Sequence, residues 1–149
     1  MYPNSRVSEN VAILATLDPV SQAAGTITTG WVPMGKFARL LALIQTGVLG
    51  AAATVDAQLQ QATSAAGAGA KDIPNKAITQ IVKATGDNKQ AEIDLRDDEV
   101  DVNNGFAFVR LSLTVGTAAS LVGASVIGAF PRNGLASDSN QAAVAQIVP

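Results

Sequence analysis

Histidine and cysteine are both absent from this 149-residue chain. These are the side chains that proteins use most often for proton transfer, nucleophilic attack and transition-metal binding near neutral pH. A chain without cysteine has no disulfide bonds, which fits a protein that folds in a reducing cytosol. Aspartate, glutamate, lysine, serine and tyrosine could still form an active site, but no spacing of them indicates one. The sequence therefore predicts a protein that is not an enzyme and that needs no cofactor or metal ion.

Charge is also scarce. Charged residues make up 15% of the chain and the formal net charge is −2, whereas soluble domains usually contain about 25% charged residues. The basic residues are scattered, so the chain lacks the basic patch of a protein that binds nucleic acid directly. Hydrophobic residues make up 48% of the chain, which predicts that apolar surface is buried against partner subunits. The alternative is a monomer covered by glycine, serine, threonine, asparagine and glutamine.

Long apolar runs are missing as well. The longest ones, residues 40–44 and 48–53, are separated by polar residues and glycine, and neither approaches the ~20 residues of a membrane-spanning helix. The first six residues lack the basic region, apolar run and cleavage site of a signal peptide. We therefore expect no membrane association and no export by that route.

What the chain does contain is a series of short segments in which apolar and polar residues alternate. Residues 107–115 show this most clearly, with Val109 and Leu111 predicted to point inward and Phe108 and Arg110 outward. Turn signals such as Asn-Gly separate the segments. Further strands are predicted over residues 11–15, 26–32, 37–48, 53–59, 77–85, 91–96 and 121–130.

The segment over residues 37–48 differs from the others because its apolar side chains fall on both faces. Leu41 and Leu43 lie on one face of an extended chain, and Leu40 and Ile44 lie on the other. This pattern predicts a strand that is covered on both faces, with a buried helix as the alternative.

Seven or eight short strands in a chain of this length predict an all-β fold, an antiparallel jelly-roll-like sandwich over residues 26–131. Residues 1–25 and 132–149 are predicted to be extended N- and C-terminal arms that clasp other subunits, with frayed termini as the alternative. Residues 61–70 are low in complexity and are predicted to form a mobile surface loop, either a contact loop or a simple connector.

An acidic cluster is the first candidate site. Carboxylates of this kind could hold calcium, but the spacing of a calcium-binding loop is absent and Arg96 lies within the cluster, so a solvated charged turn is the favoured interpretation. The cluster consists of Asp94, Asp97, Asp98, Glu99 and Asp101.

Aromatic side chains are the second candidate. Trp31, Phe106 and Phe108 could form an exposed patch for binding, although core packing is the commoner role of such residues. Phe108 has the better claim to an interface, because the alternation places it on the outward face beside Arg110. Hydrolase chemistry is not favoured, since a Ser-x-x-Lys pair is missing and aromatic platforms for sugar rings are few.

Several segments resemble small structural proteins encoded in the head modules of tailed bacteriophages, namely capsid decoration, cement and head-spike-base proteins. The resemblance extends over about residues 27–131. It implies a jelly-roll-like subunit that binds the outside of an icosahedral capsid, without catalysis or cofactor. The segments are WVPMGKFARL at 31–40, GAAATVDAQLQQAT at 50–63, GAKDI at 69–73, KAITQ at 76–80 and FVRLSLTV at 108–115.

Two hypotheses of function follow. In the first, the chain is a virion protein, made in the host cytoplasm, that binds the major capsid protein and copies of itself and reinforces the shell or anchors a spike. In the second, it is a carbohydrate- or cell-surface-binding β-sandwich that uses Trp31 and a calcium ion in the acidic cluster. A tail structural subunit is a variant of the first hypothesis.

Overall fold

Two antiparallel sheets account for most of the chain. The computed structural model describes residues 4–149. Single turns of α-helix, α1 over Val7–Asn10 and α2 over Lys83–Gly86, and several 3-10 turns accompany the strands. The strands are β1 Val11–Gln22, β2 Gly25–Thr28, β3 Val32–Pro33, β4 Phe37–Thr46, β5 Thr54–Ala62, β6 Lys71–Ala77, β7 Ile81–Val82, β8 Gln90–Arg96, β9 Phe108–Gly116 and β10 Ser120–Pro131.

The order of the strands is that of a jelly roll. The first sheet has the order β1-β10-β4-β8, and the second has the order β2-β9-β5-β6 with β3 beside β9 and β7 beside β5. Each early strand pairs with a late one: β1 with β10, β2 with β9, β4 with β8, and β5 with β6. A long antiparallel hairpin that wraps around itself produces this nesting. The predicted all-β jelly-roll sandwich is confirmed.

The hydrophobic core lies between the two sheets. On β4, Leu40 and Ile44 are at most 1% exposed, and on β9 Val109 and Leu111 are fully buried. Arg110 lies on the opposite face of β9 and is half-buried, so the predicted alternation of this strand is confirmed. Because the chain has no disulfide, burial of these side chains is its main source of stability.

The first strand is much longer than the sequence analysis predicted. A single short strand was expected within an N-terminal arm, but Val11–Gln22 pairs with β10 along the edge of the first sheet. Asp18 and Pro19 resemble a turn, yet they lie between Leu17 and Val20, where the register shifts. A bulge can hold a proline because the residue there needs no ladder hydrogen bond. Residues 1–3 of the predicted arm lie outside the described residues.

The middle of the chain also differs from the prediction. Gln61 and Ala62 belong to β5, and Lys71–Ala77 forms β6, a strand that the sequence pattern does not predict because Pro74 lies within it. A proline is tolerated there because β6 is at the edge of the second sheet. The single strand predicted over residues 77–85 is wrong, since two-residue β7 is followed by the helical turn α2.

The C-terminal segment begins by docking on the sandwich. A helical turn over Ala136–Ser139 buries Ala136 completely against Ala12 and Phe37. The next two residues bind the open edge of β1: the Ile13 N–H donates to Asn140 Oδ1 at 2.8 Å, and the Gln141 N–H donates to the Ile13 carbonyl at 2.8 Å. Residues 142–149 extend beyond this anchor and are mostly exposed.

Candidate functional site

The loop between β8 and β9 carries most of the predicted acidic cluster. Asp97 contacts the guanidinium groups of Arg132 and of Arg39, the latter at 3.8 Å. Asp98 contacts Arg96 at 2.8 Å. Each of these two carboxylates therefore has its own cation, as expected where acidic residues neutralise nearby arginines.

The other two carboxylates of the loop are held by lysines. Lys76 Nζ lies 2.8 Å from Glu99 Oε2, and this hydrogen bond lowers the pKa of the Glu99 carboxyl below its ordinary value. Lys71 Nζ lies 2.7 Å from Asp101 Oδ2 and, with help from Asn104, lowers the pKa of Asp101 in the same way. Both groups are thus held in their charged form.

These contacts bear on the calcium hypothesis. A calcium ion takes six to eight oxygen ligands around one point. Within residues 4–149, no three side chains of the metal-ligating types His, Cys, Asp and Glu converge on a common point. The four carboxylates of the loop instead each face a basic side chain.

Two cavities open beside this loop. The larger has a volume of about 600 Å³ and a polar wall that includes Gln61. The Gln61 side chain is 2% exposed, and its Oε1 accepts the Asp101 N–H at 2.8 Å. The smaller cavity, about 360 Å³, is mainly apolar and is lined in part by Val102 and Phe106. Gln61 thus fixes the acidic loop and does not belong to the mobile surface loop that the sequence predicts over residues 61–70.

The aromatic residues do not form the exposed patch that the sequence suggested. Phe106 is only 9% exposed and packs in the core, with Lys71 Nζ 4.1 Å from its ring centre. The Arg110 guanidinium lies 4.5 Å from the ring centre of Trp31. A side chain added at Gly67 would come within 2.6 Å of the Trp31 indole nitrogen. One face of the indole and its nitrogen edge are thus occupied by the protein's own groups.

The outer face of the second sheet is polar. The Arg110 Nε donates to Gln60 Oε1 at 2.9 Å, and both Gln60 and Gln58 donate to Asp72 Oδ1, at 2.8 and 3.0 Å. Farther along, the hydroxyls of Thr26 and Thr114 lie 2.8 Å apart. Apolar side chains on this face include half-buried Phe108 at its end and Val82 of β7, which lies beside Thr54 and is 38% exposed. A face of this composition is suited to contact with water.

The outer face of the first sheet is different, because an apolar band lies on three of its four strands, bordered on the same face by Arg39 and Ser125. In the strand register, Ile13 lies beside Ile127, which lies beside Leu41. Cross-strand neighbours lie on one face, and Ile13 is 37% exposed while the other two are half-buried. We call this band the outer strip. It consists of Val11, Ile13, Leu41, Leu43, Ile127 and Ala129.

A sequence signal for the outer strip existed. Leu41 and Leu43 are the residues that made β4 apolar on both faces and predicted a strand covered on both sides. In the structure the side of Leu40 and Ile44 is covered by the second sheet, while Leu41 and Leu43, on the outer side, are only partly buried. Acidic Asp94 and Glu92 of β8 lie directly beside them. The second covering layer that the pattern calls for is missing from a single copy of the chain's residues 4–149.

No protein-family model matches the sequence, and no curated protein matches it. Among the helices in the described part of the chain, none is long and apolar enough to cross a membrane.

Similar folds were found among solved structures. A CBM4 structure has a TM-score of 0.44 at 10% identity over 70% of this chain and 60% of its own. A chain of the cowpea mosaic virus empty virus-like particle has a TM-score of 0.44 at 10% identity, over 86% of this chain and 84% of its own. A third structure contains the CBM22-1-GH10 modules of Clostridium thermocellum xylanase 10B in complex with xylohexaose. It has a TM-score of 0.44 at 10% identity, over 81% of this chain and 26% of its own. This chain therefore spans less than two thirds of the length of the CBM4 structure and of the xylanase structure. At such low sequence identity, these similarities concern the fold alone.

Proposed function

We propose that this protein is a structural subunit of a virion, one that covers its outer strip by packing against neighbouring subunits of a protein shell. The outer strip is the observation that carries the proposal, because it leaves apolar side chains of three adjacent strands at the surface of one copy. Covering such a surface is favourable by roughly 25 cal/mol per Å² of apolar area.

The contrast between the two sheets supports this role. Both have a buried inner face, but the outer face of the second sheet carries amides, hydroxyls and charges joined by hydrogen bonds, while that of the first carries the outer strip. A monomer that covers itself with polar residues, the alternative weighed from composition, would have no reason to treat its two sheets differently.

The resemblance of residues 27–131 to tailed-phage head proteins makes the proposed role in the virion more specific. The subunit binds the outside of an icosahedral capsid as a decoration or cement protein, with the major capsid protein and copies of itself as partners. Its place is the virion, and it has no catalytic role. The exposed C-terminal residues 142–149 are the part of the predicted arms that is available for such contacts.

The test is light scattering of the purified chain at several concentrations, with and without empty tailed-phage capsids. We expect a defined oligomer and saturable binding to the shells. Leu41→Glu should reduce self-association at least tenfold, because it places a charge in the apolar band beside Asp94. Thr114→Glu, on the polar face of the other sheet, is the matched control and should leave association unchanged.

A chain that stays monomeric at all concentrations and ignores the shells contradicts the proposal. So does a Leu41→Glu variant that associates as well as its Thr114→Glu control, because the outer strip would then take no part in assembly.

A carbohydrate-binding role is the second candidate, and one observation favours it. A shallow cavity of about 180 Å³ lies on the polar face of the second sheet, lined by Asp56, Gln58, Ser112 and Thr114. Amide, carboxylate and hydroxyl groups can form hydrogen bonds with the hydroxyl groups of a sugar. A glycan array tests it: binding that is lost in Gln58→Ala and insensitive to chelator would support this role and turn attention to the second sheet.

A further inference from the structure

We propose that the outer strip is covered by the C-terminal segment, residues 142–149, of a second copy of this chain. The inference deepens the proposed function and rests on it, because it names the partner of the surface that carries that proposal.

The anchor of this segment is already next to the outer strip. The backbone N–H of Gln141 donates to the carbonyl of Ile13. The side-chain Nε2 of Gln141 donates to Thr16 Oγ1 at 3.1 Å. Ile13 is itself a member of the strip, at the edge of the sheet. The C-terminal segment therefore leaves its own subunit at the margin of the apolar band.

The chemistry of the segment matches that of the strip. Residues 142–149 carry no charged side chain. Two of their larger apolar side chains find little cover on their own subunit, since Ile147 is 46% exposed and Val148 is 80% exposed, whereas Val144 is half-buried. The strip likewise contains only aliphatic side chains, and a charged partner would have to lose its hydration there.

The segment is long enough to reach across a sheet. Eight residues in extended form span about 26 Å at ~3.3 Å per residue, while the four strands of the first sheet are about 14 Å across at ~4.8 Å per step. A segment anchored at one edge can therefore cover the outer strip of an adjacent copy as far as Leu41 and Leu43 of β4.

A second copy, not the parent chain, is the partner for two reasons. In the parent chain the Val144 N–H donates to the Gln141 carbonyl at 3.0 Å, and beyond that turn Ile147 and Val148 remain exposed, as does Ile13 of the strip. Exchange between two copies is also reciprocal, so each copy gives one segment and receives one, and the contact closes into a symmetric pair.

Disulfide trapping tests the inference directly, since the chain has no native cysteine to interfere. Chains carrying Ile127→Cys are mixed with chains carrying Val148→Cys and oxidised mildly, so that only contact between copies can join the two types. We expect a disulfide-linked heterodimer in at least tenfold higher yield than from a mixture of Thr114→Cys and Val148→Cys chains. Leu43→Cys replaces Ile127→Cys if the latter does not fold.

A second measurement guards against chance trapping. A chain that ends at Gln141 keeps its anchor and should self-associate at least tenfold more weakly than the full chain. Yields equal to those of the Thr114→Cys control, or a double Ile127→Cys, Val148→Cys chain that forms only internal disulfides, overturn the inference.

Shell binding, measured on the same samples, separates this inference from the proposed function. Trapping that succeeds in a protein that ignores capsids leaves the exchange of segments standing and contradicts the virion role. Saturable shell binding without trapping overturns the exchange alone.

Discussion

Thr46→Val removes one buried hydroxyl while conserving the shape of the side chain. Thr46 closes β4 and is 5% exposed. Its hydroxyl donates to the Gly86 carbonyl at 2.7 Å and accepts the Lys89 N–H at 3.0 Å. These bonds hold the loop between α2 and β8 against the end of the first sheet. Valine would keep the packing and leave the two backbone groups without their partner.

The expected cost follows mainly from the Gly86 carbonyl, because its hydrogen bond is buried whereas that of the Lys89 N–H is only partly buried. Leaving a buried donor or acceptor unpaired costs about 1–3 kcal/mol. At this chain length each kcal/mol lowers the melting temperature by about 2–4 °C, so Thr46→Val should melt roughly 2–12 °C below the parent protein. The control, Thr114→Val, removes a hydroxyl from an outer face and should change stability by at most about 0.5 kcal/mol.

Two measurements check this prediction. Calorimetry of the parent, Thr46→Val and Thr114→Val at equal concentration gives the melting temperatures. Amide hydrogen exchange then reports on the Lys89 N–H, which should exchange faster in Thr46→Val because it has lost its acceptor. If Thr46→Val melts no lower than the control and Lys89 keeps its protection, the assigned hydrogen bonds do not stabilise the loop.

Three further predictions concern other parts of the fold. Glu99 has a lowered pKa in the folded state. Its contribution to stability is therefore present above pH 4.5, the ordinary pKa of the carboxyl, and is lost as the pH falls through the folded pKa. Between pH 3 and 7 the melting temperature of Glu99→Gln should rise less steeply with pH than that of the parent protein. Gly50→Ala places a Cβ 2.4 Å from the Ala119 carbonyl and should cost about 1–3 kcal/mol by denaturant titration, while Gly35→Ala, with open space around it, should not. Trp31→Ala should make residues 63–70 more sensitive to limited proteolysis, since the indole packs beside Gly67; unchanged cleavage would contradict that role.

Local periodicity predicted the strands whose faces differ most in polarity. The alternation of β9 and of β5 identified their inward residues, because a period of two fixes which side chains share a face. The failures share a cause. Pro19 and Pro74 resemble strand breakers, and only their positions, at a register shift and on an edge strand, show why the chain tolerates them. The location of Gln61 likewise depends on the distant Asp101 N–H that it binds.

The candidate surface was predicted in part. The apolar residues on both faces of β4 indicated a strand covered twice, and the outer strip contains the residues of its second face. The acidic cluster was visible as a run of carboxylates, but the run does not reveal that Lys71 and Lys76, from β6, reach two of them. Such ion pairs form between segments that are far apart in the chain.

The sequence by itself determined the all-β class, the inward residues of its clearest strands and the surplus of apolar side chains, because these follow from composition and from a repeat of two residues. The tertiary structure decided which strands pair, since Val11 of β1 meets Ala129 of β10 from the other end of the chain, and which of the two sheets keeps an apolar outer face. Strand pairing and the polarity of each outer face depend on how the two sheets pack around one core, and a local sequence pattern does not contain that information.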